Sequence, residues 1–389
     1  MGLYFAIILV SLAFFYALVS ASLIVGVSRL RRKTARSAEQ PSVSILVPAR
    51  NEERFIGNCL ESLVSQEYPP DRYEIVVVND RSSDNTPTII GSYQEKFGTI
   101  RCVNIESNAS GLTGKQNAMN EGLKVCAGEI ILNTDADCVA MPSWVRRTVS
   151  YFTPRTGLAT GFNMAHNANG TRSLFADLQS LDMLFLMDAA AGAIGMNVPV
   201  SCVGRNLAYR KAVLGDAGYS EMGYTITEDA ALMQSVARNP DWDIAVMYDR
   251  DTAVLTSAEA SLKQFLSQRI RWILGGTQDS GLWSLIPLYA IFLFHLCLAL
   301  VVPLMFFSRS IAVGVLLSLL IKMTMDFIRS YRVCKGFKRG DLLWSFIPYE
   351  AFMTFYSIIT GFGIIFVRKV RWKGEVYTKD ARCAINVSE

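Results

Sequence analysis

Residues 42–52 read Ser42-Val43-Ser44-Ile45-Leu46-Val47-Pro48-Ala49-Arg50-Asn51-Glu52. The run at 42–47 is short, rich in Val and Ile, and stops at a cluster of turn-forming and charged residues, the pattern of a buried strand. It recurs at 74–78, 101–105 and 129–133. Between these runs, 52–66, 86–97 and 115–127 carry apolar residues at helical spacing. Strand–helix alternation predicts an α/β domain with a mostly parallel sheet covered by helices on both faces. Ligands of such sheets bind where the strands end, so the polar residues at those ends are the candidates for function.

Outward from this region the composition changes. The chain has 389 residues, 51% apolar and 19% charged, and a mean hydropathy of +0.26. That average is too high for a plain soluble enzyme and too low for a chain that is all membrane. Residues 1–28 carry no charge, enough length for a transmembrane helix, and are followed by Arg29, Arg31, Arg32, Lys33 and Arg36. A cleaved signal peptide carries its positive charge before the apolar run, so this segment reads as a retained anchor with its basic end in the cytosol. Apolar blocks at 285–307 and 311–328 read as a helical hairpin, with Lys322 and Asp326 four apart and able to pair. A last block at 342–367 is interrupted by Pro348 and Glu350 and has basic residues at both ends. Alternation puts its two flanks on opposite sides and the positive-inside rule puts both inside. Crossing and re-entry both stay open, with crossing the adopted reading.

Several function classes lose support at this stage. A net charge of +4, from 38 basic and 34 acidic residues, gives no field for nucleic acid. The eight cysteines form no C-x-x-C, and with two histidines there is little for a zinc site; reduced thiols in a cytosolic compartment are expected. Neither G-x-G-x-x-G nor the P-loop pattern is present. The N-x-S/T triplets at Asn108, Asn169 and Asn386 are of chance frequency; the first two are expected in the cytosol, unglycosylated.

The strand and helix ends read P-A-R-N-E at 48–52, N-D-R-S-S-D at 79–84, G-K-Q-N-A-M-N at 114–120, D-A-D at 135–137, T-E-D at 227–229 and Q-R-I-R-W at 268–272, with G-R-N at 204–206. The first six, in this order, resemble the family-2 glycosyltransferases of the GT-A fold. Within these the chain is similar to the membrane-anchored branch of ceramide glucosyltransferases and cellulose, hyaluronan and chitin-oligosaccharide synthases. The resemblance covers about residues 41–282. Asn79 departs from it, since many relatives carry an aspartate there. Five regions follow: an anchor at 1–28, a cytosolic catalytic domain at 41–257, an interfacial helix at 258–282, a membrane region of about three spans at 285–367, and a basic tail at 368–389.

The resemblance implies the roles. Asp229 would be the general base that removes the acceptor's proton during inverting transfer, with Glu228 the second choice. Asp137 would be the principal ligand of Mg²⁺ or Mn²⁺, with Asp135 touching metal or ribose. Asp80 would contact the nucleotide, commonly uracil, in a cleft lined by Pro48, Ala49, Asn51 and Glu52. Lys115, at a helix start, would meet phosphate. Each has a plainer alternative: a solvated turn for Asp135 and Asp137, a helix cap for the stretch 80–84, which can hold alongside the nucleotide role, or for 227–229, and a surface lysine for Lys115. At about 100° per residue, Gln268, Arg271 and Trp272 share one helical face, nearly opposite Leu262, Leu266, Ile270 and Ile273. The apolar stripe is expected against lipid or the anchors, the other face turning Arg271 to diphosphate and Trp272 to the acceptor.

The leading expectation is transfer of a hexose from a UDP-sugar to a lipid hydroxyl at the bilayer surface. Alternatives are a processive polysaccharide synthase, for which four spans are few, and a silent scaffold, which would be expected to have lost acidic residues at D-A-D or T-E-D. A transporter lacks enough spans. Donor sugar, acceptor and oligomeric state are not given by the sequence.

Overall fold

The computed structural model describes residues 2–33, 36–107, 112, 114–166, 173–215, 218–223, 225, 227–278, 282–367, 369–372 and 375–378. The three N-x-S/T asparagines and most of the basic tail lie outside these. The chain forms two compact units. One comprises Lys33–Ala168, Ser201–Ala258 and Arg368–Glu389; the other comprises Met1–Arg32, Asn169–Val200 and Glu259–Val367.

The first of these is built on a seven-stranded sheet. Its strands run in spatial order Ile100–Ile105, Tyr73–Asp80, Val43–Ala49, Ile130–Asn133, Leu207–Arg210, Thr156–Thr160, Asp243–Val246. Four of the six pairings are parallel and the two made by Leu207–Arg210 are antiparallel, so the sheet is mixed. The Val/Ile runs are strands because both faces are covered: Ile45, Leu46, Val47 and Ile75 to Val78 have no measurable exposure. In the parallel register Ala49 lies opposite Asn79 and Leu46 opposite Asn133, so three strands release their chains along one edge. A second sheet of three strands, Cys138–Ala140, Val254–Ser257 and Asn163–His166, follows directly from the D-A-D segment.

The other unit is helical. Four stretches have the length and hydropathy to cross a membrane: Gly2–Arg32, Ile286–Phe306, Arg309–Gly336 and Gly340–Gly363. Lys322 and Asp326 pair at 3.0 Å as their spacing suggests, and Glu350 and the Tyr16 hydroxyl join them in the buried interior. Arg332 donates to Ser28 Oγ at 3.1 Å. Ser28 and Arg332, near the ends of the first and third of these stretches, therefore lie together at one end of this unit.

Helix Leu174–Gly195 belongs to this unit, although the sequence reading placed it inside a continuous 41–257 domain. Its buried polar residues explain the placement. Asp182 pairs with Arg269 and Asp188 with Arg329, both from helices of the same unit. Close packing adds to this: a Cβ on Gly26 would lie 1.9 Å from the Gly192 carbonyl oxygen, so the two backbones touch.

Candidate active site

Two loops meet at the strand edge. Asn51 and Arg81, each just beyond a strand, both take the left-handed conformation with φ of 54°. Such residues gather where function fixes the backbone. Ser83 N–H donates to Asn51 Oδ1 at 2.8 Å, and Asn51 N–H donates to Ser82 Oγ at 3.1 Å, tying the loops together. Asp80 is buried between two cations: Arg81 Nε lies 2.7 Å from Oδ1 and Arg50 Nη1 3.7 Å from Oδ2. Within the 80–84 stretch it is Asp84 that accepts backbone N–H groups, from Glu53 at 3.1 Å and from Thr86 at 3.0 Å. Asn79 donates to Asn104 Oδ1 across the sheet at 2.9 Å, a bond no aspartate could donate. Glu52 N–H is held by Thr86 Oγ1 at 2.8 Å, and Pro48 and Ala49 end the strand below.

The acidic residues converge on two cations. Lys115 Nζ lies 2.7 Å from Asp135 Oδ1 and 3.2 Å from Glu228 Oε1. Arg205 Nε lies 3.6 Å from Asp135 Oδ2, and its Nη1 3.9 Å from Asp137 Oδ2. Thr256 completes the set, accepting from Arg205 Nη1 at 2.6 Å and donating to Asp137 Oδ2 at 3.4 Å. Burial disfavours the Lys115 charge, but Asp135 and Glu228 outweigh it and hold the ammonium above the ordinary lysine range. Asp135, Asp137, Glu228 and Asp229 thus gather around Lys115 and Arg205.

The Asp135 and Asp137 side chains are 24% and 29% exposed, open to a divalent cation. Among the described residues no three His, Cys, Asp or Glu side chains form a ready-made metal cage. The donors fit a hard cation that takes the rest of its ligands from phosphate and water.

Asp229 sits at the start of helix Glu228–Arg238. Burial pushes its carboxyl up to about 6, Glu228 adds to the rise, and Lys115 and the N–H groups of Ala230 and Gly204 oppose it. Gly204 makes the position possible. A Cβ there would lie 2.7 Å from Asp229 Oδ2. Asn206 fixes this turn with a buried amide, donating to Phe162 O at 2.7 Å and Thr252 O at 2.8 Å and accepting from Trp144 Nε1 at 3.1 Å.

Arg205 was not among the residues chosen from sequence. The G-R-N cluster was visible, but its partner was not, because that depends on a long-range antiparallel pairing. Asn133 lies opposite Leu207, a register whose paired numbers sum to 340, and continuing it sets 205 opposite 135.

Gln268, Arg271 and Trp272 lie in the helical unit, on helix Leu262–Gln278. Of the apolar stripe, Leu262 is 41% exposed and Ile270 lies against Gly363 of helix Phe346–Phe366, and the helix also buries Phe265, Arg269 and Leu274. Arg269, a charged residue, is held in the packed face by its salt bridge to Asp182 at 2.6 Å.

The family model for glycosyl transferase family 2 matches residues 44–215, and that for glycosyl transferase family group 2 matches residues 130–363. The beta-monoglucosyldiacylglycerol synthase of Synechocystis sp. is 32% identical over 251 residues, 63% of this chain and 50% of that one. The poly-beta-1,6-N-acetyl-D-glucosamine synthase of Staphylococcus epidermidis is 27% identical over 257 residues, 64% and 58% respectively. The chain thus spans about half the length of these relatives. A mannosyltransferase from Pyrobaculum calidifontis, solved with GDP-Man and Mn²⁺, superposes with a TM-score of 0.57 at 17% identity, covering 94% of this chain and 99% of that one. The shared fold is GT-A.

Proposed function

The chain belongs to glycosyl transferase family group 2, and from that membership we propose that it is a membrane-bound inverting transferase, moving a hexose from a UDP-sugar to a lipid hydroxyl. One observation carries the reading. Lys115 bridges Asp135, on the side expected to hold the donor diphosphate, to Glu228, which adjoins the base, so the two halves of the reaction share one cluster. Asp80, with Asn51, Glu52 and the strand end at Pro48 and Ala49, is assigned to the nucleotide. Lys115 and Arg205 are assigned to the diphosphate oxygens, where departing negative charge collects. Asp137 and Asp135 would hold Mg²⁺ or Mn²⁺, which when bound neutralises charge on the leaving diphosphate. Asp229 takes the proton from the acceptor hydroxyl: a carboxyl at about 6 is largely ionised at neutral pH yet more basic than an ordinary aspartate. Glu228 holds Lys115 beside it. Gln268, Arg271 and Trp272 are assigned to transfer from the Q-R-I-R-W motif alone.

The four apolar stretches and the basic ends of the helical unit support a multi-pass protein with its catalytic unit in the cytosol. A lipid acceptor is supported by the glucosyldiacylglycerol synthase, and processive synthesis, the second reading, by the poly-N-acetylglucosamine synthase. Membranes bearing the protein, incubated with radiolabelled UDP-sugars and then extracted separately for lipid and polymer, decide between them. Label in lipid is expected; label confined to large polymer selects the second reading, and label in neither refutes both.

A further inference from the structure

Within the helical unit, Asp182 is an aspartate with no exposed surface that accepts four hydrogen bonds. Arg269 donates to its Oδ2 through Nε at 3.0 Å and Nη2 at 2.6 Å, Tyr349 donates to Oδ1 at 3.1 Å, and the Tyr356 hydroxyl donates to the same oxygen. The remaining Arg269 nitrogen, Nη1, donates to Gln268 Oε1 at 2.6 Å, and Gln268 Nε2 donates to Glu259 Oε1 at 2.5 Å. Glu259 is fixed in turn: its N–H donates to Gln179 Oε1 at 2.8 Å and its carbonyl accepts from Gln179 Nε2 at 3.0 Å. The Arg269 guanidinium lies 4.4 Å from the Trp272 ring centroid and 4.3 Å from that of Phe265.

A buried ion pair of this kind adds little net stability over apolar side chains of the same volume. Its distinctive product is orientation. The guanidinium is a planar fork whose in-plane donors fix the carboxylate and the Gln268 amide, while its face meets the indole. We infer that Asp182 and Arg269 are positioning residues, holding the Gln268 amide and the Trp272 ring in a single orientation for the transfer proposed above, on which this inference rests. Gln268 can then present its amide in one sense only, since oxygen and nitrogen are assigned by opposite partners. Lysine cannot replace Arg269, because an ammonium cannot serve carboxylate, amide and ring together.

The test uses the full-length protein in lipid nanodiscs. Arg269→Met is expected to lower kcat for transfer about 30-fold, but less than about 3-fold in a Trp272→Ala background, since coupled residues are not additive. Equal fold losses in the two backgrounds would show that Arg269 does not act through Trp272 and would overturn the inference. A second readout needs no turnover. Acrylamide quenching of Trp272, taken as the difference between protein with and without Trp272→Phe, is expected to rise about two-fold in Arg269→Met, and an unchanged value overturns the inference. A protein that transfers no sugar defeats the transferase reading, while the quenching result still decides the positioning. The double variant Asp182→Leu/Arg269→Leu, which leaves no orphaned charge, carries both measurements if Arg269→Met does not fold.

Discussion

Replacing Glu228 by Gln tests the electrostatics of the proposed base. The Asp229 carboxyl stands at about 6 against an ordinary 3.8, because of burial first and Glu228 second, with Lys115 pulling the other way. With a base at that value, kcat/KM falls about ten-fold between pH 7 and pH 5, whereas an ordinary aspartate would lose only about 6%. Glu228→Gln removes a raising charge and leaves Lys115 in place, so the acidic limb of the profile moves to lower pH. Initial rates at subsaturating UDP-sugar over pH 4.5–8, alongside UDP affinity at each pH, supply the measurement. A limb that stays where it was, or moves up, would refute the assignment of Asp229. The same shift has a stability consequence. The folded state holds this proton more tightly than the unfolded chain, so the group's contribution to stability is fully present below about pH 4 and is lost as pH rises through about 6. Asp229→Asn is therefore expected to raise the unfolding temperature at pH 7.5, by an amount corresponding to at most ~3 kcal/mol.

Asp137→Ala and Asp229→Asn should each abolish transfer, but only Asp137→Ala should weaken donor binding in calorimetry; equal loss in both would argue against their separate roles. EDTA should stop the reaction and Mg²⁺ or Mn²⁺ restore it, and full turnover in chelator would remove the metal from the scheme. Gly204→Ala drives a methyl toward Asp229 Oδ2, and transfer should fall about 10–100-fold with UDP affinity unchanged; wild-type rates would show that the close approach is not needed. Lys322→Met strands Asp326 and Glu350 in the helical interior and should cost about 3–5 kcal/mol, read as a lower unfolding temperature in detergent that Glu350→Gln partly restores.

The strands were legible because their Val and Ile runs need burial on both faces, a property carried by each segment alone. The same holds for the apolar spans and for the Lys322–Asp326 pair, which is four residues apart on one helix. Contacts created by pairing distant segments were not legible. Arg205 meets Asp135 only through the register of Leu207–Arg210 on Ile130–Asn133. Helix Leu174–Gly195 reads as part of a soluble domain because it carries Asp177, Asp182 and Asp188. Two of those carboxylates have arginine partners far along the chain, and with the partners known the helix is an internal one. Burial of Arg269 in helix Leu262–Gln278 was not legible for the same reason: periodicity counts it as polar, yet its salt bridge makes it the most deeply packed charge of that helix.

The contact between Gly26 and Gly192 bears on how the protein can be handled. Trimming the termini to obtain a water-soluble fragment would strip a neighbour from helix Leu174–Gly195, baring an oily surface midway through the remaining polypeptide. Such fragments should precipitate even with every acidic residue of the reaction centre intact. Excising that internal helix as well, with a short polar bridge in its place, is the more promising route to a soluble core.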